Sequence, residues 1–118
     1  MAYDVRQWPS TVYPREIDRE CPEAREAIDV LIRNLMTQGP APAGYKLKTL
    51  GVKVGGLWQI NLKVERREAR VLYAPYGQII VLFRIHRKGI PQEQTRAYGL
   101  AKRRKSEYEF AKTQAAAL

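Results

Sequence analysis

Three apolar runs lie close together in the chain, at residues 57–64, 69–74 and 78–85, and the connections between them are too short to cross a sheet. In the first, Trp58, Ile60, Leu62 and Val64 alternate with Gln59, Asn61 and Lys63, the period of a half-buried strand. The charged Glu65-Arg66-Arg67-Glu68 reads as a turn. In the second run Val71 and Tyr73 share one face, and Arg70 and Leu72 the other. Pro75-Tyr76-Gly77 is again a turn. The third run is the most apolar and predicts a strand buried on both faces. Connections this short predict an antiparallel meander.

The flanks supply helices. Ile28, Leu31, Ile32 and Leu35 form one apolar stripe at helical spacing within residues 22–36, with Glu23 in the first turn and Gly39-Pro40 as the stop. Pro14 and Pro22 each suit the first turn of a helix. Residues 91–112 predict a last helix, with Tyr98, Ala101, Lys105 and Tyr108 on one side and Lys102, Arg103 and Arg104 as a basic collar. Residues 3–8 alternate as a short strand would, and residues 45–54 are ambiguous. The expected fold is α+β, with helices packed on a small antiparallel sheet. At 118 residues it is one domain spanning 1–118, with a frayed or disordered tail over about 113–118.

Composition narrows the function. The longest apolar stretch is far shorter than the ~18 residues of a membrane span, and residues 1–6 lack the pattern of a signal peptide. A cytoplasmic protein is expected. One cysteine and one histidine exclude an internal disulfide and a Cys/His zinc site. There is no phosphate-binding glycine loop, no zinc-protease helix and no nucleophile elbow. The three aspartates all precede residue 30, so paired acids for a two-metal nuclease are not in evidence near the basic strands. No metal and no cofactor is expected.

The net charge is +9, and residues 61–105 alone carry +9. Such a segment suits an anionic partner, nucleic acid or an acidic protein. A metal-free ribonuclease is compatible with these residues. The RNA's own 2′-hydroxyl attacks, arginine and lysine stabilise the charge on phosphorus, and a histidine or lysine moves the proton. Arg84-Ile85-His86-Arg87-Lys88 places such groups at one strand end, and Arg70 comes from the neighbouring strand.

Four pieces, in order, resemble one family. Gly56-Leu57-Trp58-Gln59-Ile60-Asn61, Ala69-Arg70-Val71-Leu72-Tyr73, the strand at 78–88 and Ala101-Lys102-Arg103-Arg104 with Tyr108 are similar to the strands and closing helix of HigB-like toxins of the RelE superfamily. The chain departs from the family pattern at Asn61, Arg84, Ile85 and the loop at 89–95. The resemblance implies a compact RelE-like fold: a helical pair, an antiparallel sheet and a C-terminal helix. It implies the toxin of a type II toxin–antitoxin pair, an endonuclease that cuts mRNA on the translating ribosome without a metal. Its partners would be the ribosome, mRNA and a cognate antitoxin of helix-turn-helix type, with no membrane involved. Carried over by residue, Arg70, Arg87 and Lys88 stabilise the scissile phosphate, and His86 or Lys88 transfers the proton. Lys63, Arg66, Arg67, Arg84, Lys102, Arg103 and Arg104 would hold RNA backbone. The alternative is a non-catalytic basic module that binds nucleic acid or a protein through the same surface.

Overall fold

The meander forms as the alternation requires. In the computed structural model, which describes residues 2–117 (116 and 117 by backbone alone), β3 (Trp58–Val64), β4 (Arg67–Tyr76) and β5 (Ile79–Arg87) pair antiparallel in sequence order. The β3–β4 turn tightens to Glu65 and Arg66, and Glu65 takes a left-handed conformation with φ 58°. β4 and β5 therefore reach further than their apolar cores, and Arg87 becomes the last residue of β5 rather than part of the loop beyond it.

Two strands complete the sheet. β2 (Lys46–Thr49), in the ambiguous stretch, pairs antiparallel with β3. β1 (Asp4–Gln7) pairs parallel with β5, giving the order β1-β5-β4-β3-β2. The sheet is thus mixed, which corrects the expectation of a wholly antiparallel one. β4 occupies one edge of β5. The first strand joins the other edge after the chain has passed through its helices, and that long connection permits a parallel pairing.

Between β1 and β2 the chain forms a kinked turn over Val12–Glu16, the single turn α1 (Ile17–Glu20), a tight turn at Pro22–Ala24 and α2 (Arg25–Gln38). The apolar stripe of α2 is buried as its spacing predicts: Ile28, Leu31 and Leu35 pack with Ile17, Ile60, Val71, Tyr73 and Ile85. Each fully buried Leu or Ile contributes about 1.5–3 kcal/mol. Gly39 ends α2 with φ 93°, and a side chain there would meet the Tyr3 ring at 2.9 Å. Only glycine meets both demands.

The last helix, α3 (Pro91–Ala117), lies on the opposite face, so the sheet is sandwiched rather than covered on one side. The residues of β5 explain this: Ile80 and Leu82 face α2, while Val81 and Phe83 face α3 with Leu57, Leu72 and Ala101. α3 is continuous through Thr113, Gln114 and Ala115, where a tail was expected; Leu118 lies outside the described residues.

Candidate nucleic-acid interface

The α3 face of the sheet changes character along the strands. Beneath the middle of α3 it is apolar. Toward the β3–β4 turn it becomes polar, row by row across β3, β4 and β5: Gln59, Leu72 and Arg84; then Asn61, Arg70 and His86; then Lys63 and Glu68, with the Lys88 N–H donating to the Glu68 carbonyl at 2.8 Å. Arg70 and His86 sit directly opposite each other, 8% and 3% exposed. Gln59 and Asn61 are tied together and to α3, Gln59 donating to Asn61 and accepting from the Tyr98 hydroxyl, both at 2.8 Å.

The imidazole of His86 has a defined role for each nitrogen. Nδ1 lies 3.1 Å from the Arg87 carbonyl, so in the neutral ring Nδ1 carries the proton and donates it there. Nε2 is then a lone pair, and it is buried with no partner. Burial, chiefly, pushes the pKa of His86 down to about 4, with Arg84 and Arg70 adding to the shift. The ring is therefore neutral at pH 7.

Arg70 donates through Nε to Glu68 at 3.1 Å, leaving its buried Nη1 without a partner. Arg87 lies opposite Ala69, on the side of the sheet that α2 covers. Its Nη2 meets both oxygens of Glu23, at 2.8 and 3.0 Å, and its Nε is unpartnered. Lys88 is exposed. Two clefts flank this strand end. One, of about 410 Å³, runs between α1 and the start of α3 and is lined by His86, Arg84, Arg87 and Lys88. The other, of about 270 Å³, lies beside the β3–β4 turn and gathers Lys63, Arg66, Arg67, Arg87 and Lys88 around Glu68. Lys63, Arg66 and Arg67 are exposed there. The structure thus brings His86, Arg87, Lys88 and these three cations to one strand end, with Arg70 buried opposite His86 and outside the lining of either cleft.

Four residues expected to hold RNA backbone are placed elsewhere or otherwise engaged. Arg104 turns inward, donating to Glu16 at 2.6 Å and to the Phe83 carbonyl at 2.8 Å. Arg84 is 9% exposed and in ionic contact with Glu16 at 3.2 Å. An irregularity in the β4–β5 register between Leu72 and Tyr73 lets Phe83 and Arg84 both turn to the α3 side. Arg104 is a correction, since it braces the interior; Arg84 shares that bracing but also lines the larger cleft. Lys102 lines a separate cleft with Lys53 and Val54, and Arg103 is exposed on α3 away from both basic clefts.

Glu16 makes that bracing possible. It is 2% exposed, and besides the two arginines it accepts the Ile85 N–H at 3.0 Å. β1 ends opposite Leu82, so beyond it the outer edge of β5 has no strand beside it, and the Glu16 carboxylate satisfies the orphaned donor. Sequence inspection missed Glu16, Arg19 and Arg96. The last two line the larger cleft from α1 and α3. Only tertiary packing places them there; no spacing in the chain signals it.

A larger cavity, about 470 Å³, opens between β1 and α2 with Val5, Ile32 and Leu82 in its walls and no comparable gathering of cations. Among the described residues no three or more His, Cys, Asp or Glu are grouped to hold a metal, and no helix is long and apolar enough to cross a membrane. Fold and site define a small α+β domain with a cationic, partly unsatisfied strand end. No family model, curated protein or solved structure matches the chain.

Proposed function

We propose that this chain binds RNA at the β4–β5 end and cleaves it without a metal, as the toxin of a type II toxin–antitoxin pair in the manner of the HigB-like toxins it resembles. One observation carries the reading. Every buried side-chain nitrogen or oxygen left unpartnered among the described residues belongs to Arg70, Arg84, His86 or Arg87. Buried polar groups ordinarily find partners; the free Nε2 lone pair of His86 calls for a proton donor beside it, and the vacant donors of the three arginines call for an anion. A phosphodiester supplies one, with Lys63, Arg66, Arg67 and Lys88 holding the flanking backbone.

In this reading His86 Nε2 accepts the proton of the 2′-hydroxyl. The 2′-oxygen bonds to phosphorus, the bond to the 5′-oxygen breaks, and the Lys88 ammonium protonates the leaving oxygen. Arg70 and Arg87 stabilise the added charge on phosphorus. The bound phosphate also raises the histidine's pKa toward the working pH, where a general base is most effective. A helix-turn-helix antitoxin and the translating ribosome are the partners that the family resemblance implies. The order of elements fits that resemblance: helices, then a meander, then a closing helix.

A second reading, a binding module without catalysis, is favoured by the burial of His86 Nε2 and the pairing of Arg70 with Glu68 and Arg87 with Glu23. Induced expression in a bacterial host, with primer extension on cellular mRNA, separates the two. Growth arrest with discrete cuts, abolished in the Arg70→Ala/Lys88→Ala variant, is the expected result. Healthy growth and intact mRNA from soluble, folded wild-type protein would leave the binding module.

A further inference from the structure

Residues 16–23 run along the open outer edge of β5 and deliver a carboxylate at positions 16, 20 and 23. Each meets an arginine of β5. Glu16 contacts Arg84 at 3.2 Å, Glu20 contacts Arg84 at 3.5 Å, and Glu23 contacts Arg87 at 2.8 Å and Arg67 at 3.8 Å. The three differ in access. The side chain of Glu16 is 3% exposed, that of Glu23 16% and that of Glu20 30%. The innermost carboxylate is thus an anchor, fixed by Ile85 and Arg104 as well. Glu20 lines the larger cleft together with Arg84 and Arg87, and Glu23, outside both clefts, holds the Arg87 guanidinium that lines each of them.

We infer that residues 16–23 are a built-in anionic strap that screens the cationic site, and that a bound polyanion displaces Glu20 and Glu23 from Arg84 and Arg87 while Glu16 stays in place. The inference rests on the RNA-binding reading above. A partly exposed ion pair is weak enough to exchange, and a phosphate offers Arg87 the same two-oxygen contact that Glu23 now makes. The strap keeps the arginines oriented and restrains binding to weak anions. It sets a threshold that a chain of several phosphates passes and an isolated one does not, because each displaced carboxylate must be outcompeted at once.

The test is binding of a fluorescein-labelled, 2′-deoxy-substituted single-stranded oligonucleotide of mixed sequence, followed by anisotropy over a range of salt. Glu23→Gln should tighten binding about 5-fold at low salt and steepen the dependence of log affinity on log salt by ~0.7, one more cation being free to meet phosphate. Glu20→Gln/Glu23→Gln should go further in both. Glu65→Gln, an exposed carboxylate on the nearby turn, controls for the general field and should change affinity less than 2-fold, with no change of slope. Wild-type binding with Glu23→Gln no different from Glu65→Gln would overturn the strap and leave the RNA reading standing. No binding by any folded variant at any salt would overturn both. Thermal melts confirm that each variant is folded, and Glu23→Gln alone decides the matter if the double variant is not.

Discussion

The two faces of the sheet are built from the same strands and solve different problems. The α2 face is apolar from Ile80 and Leu82 through Tyr73 and Val71 to Ile85, Ala69 and Leu62, and only at its far end does Arg87, opposite Ala69 and paired with Glu23, interrupt it. The α3 face starts out the same way, with Val81, Phe83 and Leu72, and then fills with Arg84, His86, Arg70, Gln59 and Asn61. A face that served stability alone would have continued the apolar pattern, since a buried cation is costly unless fully paired. The α2 face therefore carries the fold, and the far half of the α3 face, with Arg87 at the strand end, carries the site, at a cost in stability that Glu16 limits.

The comparison can be broken at several points. The largest effect is expected at Glu16. Glu16→Ala leaves Arg84 and Arg104 buried without their anion and the Ile85 N–H without its acceptor, and should cost about 4 kcal/mol in urea unfolding. Leu31→Ala, on the apolar face, should cost about 3 kcal/mol and leave RNA affinity per folded molecule unchanged.

Between pH 6.5 and about 4.5, above the range where the depressed carboxyls of Glu23 and Glu109 begin to matter, acid should act through His86. The folded protein holds His86 neutral down to about pH 4, whereas the unfolded chain takes up a proton below its ordinary value of 6.5. The contribution is complete above pH 6.5 and is lost as pH falls from there toward 4, by up to roughly 3 kcal/mol. His86→Gln should remove that slope from a pH series of denaturant midpoints. Smallest in stability is Lys88→Ala, within about 0.5 kcal/mol because the side chain is exposed. It should weaken RNA binding and reduce the salt slope by ~0.7.

The apolar face was legible in the sequence, because its alternation in residues 57–64 and the stripe Ile28, Leu31, Ile32 and Leu35 are local signals. The position of β1 was not: the alternation of residues 3–8 marks a strand but says nothing of its neighbour. The side of the sheet taken by α3 was implicit in the third strand's apolar run, which needs cover on both faces. Within the site, the sequence shows only that Arg70 is on the strand next to that of His86; register sets the two directly opposite each other. In the expected basic pair, Arg87 is the last residue of β5 and Lys88 lies just beyond it, and both line the same two clefts. Charge counting also overstated the free cations. Nothing in the spacing of Glu16, Glu20 and Glu23 reveals that they meet arginines some sixty or more residues later in the chain.

The chain has one histidine, so its imidazole nitrogen signals belong to His86 without further assignment. The most direct test of an anion site at the polar end of the α3 face is a ¹⁵N NMR titration of that ring. It would be run with and without the 2′-deoxy-substituted oligonucleotide. The account predicts a neutral ring protonated on Nδ1 at pH 7, titrating near 4 in the free protein and at a higher pH once the phosphodiester is bound. A ring that titrates near its ordinary value and does not respond to the oligonucleotide would contradict it.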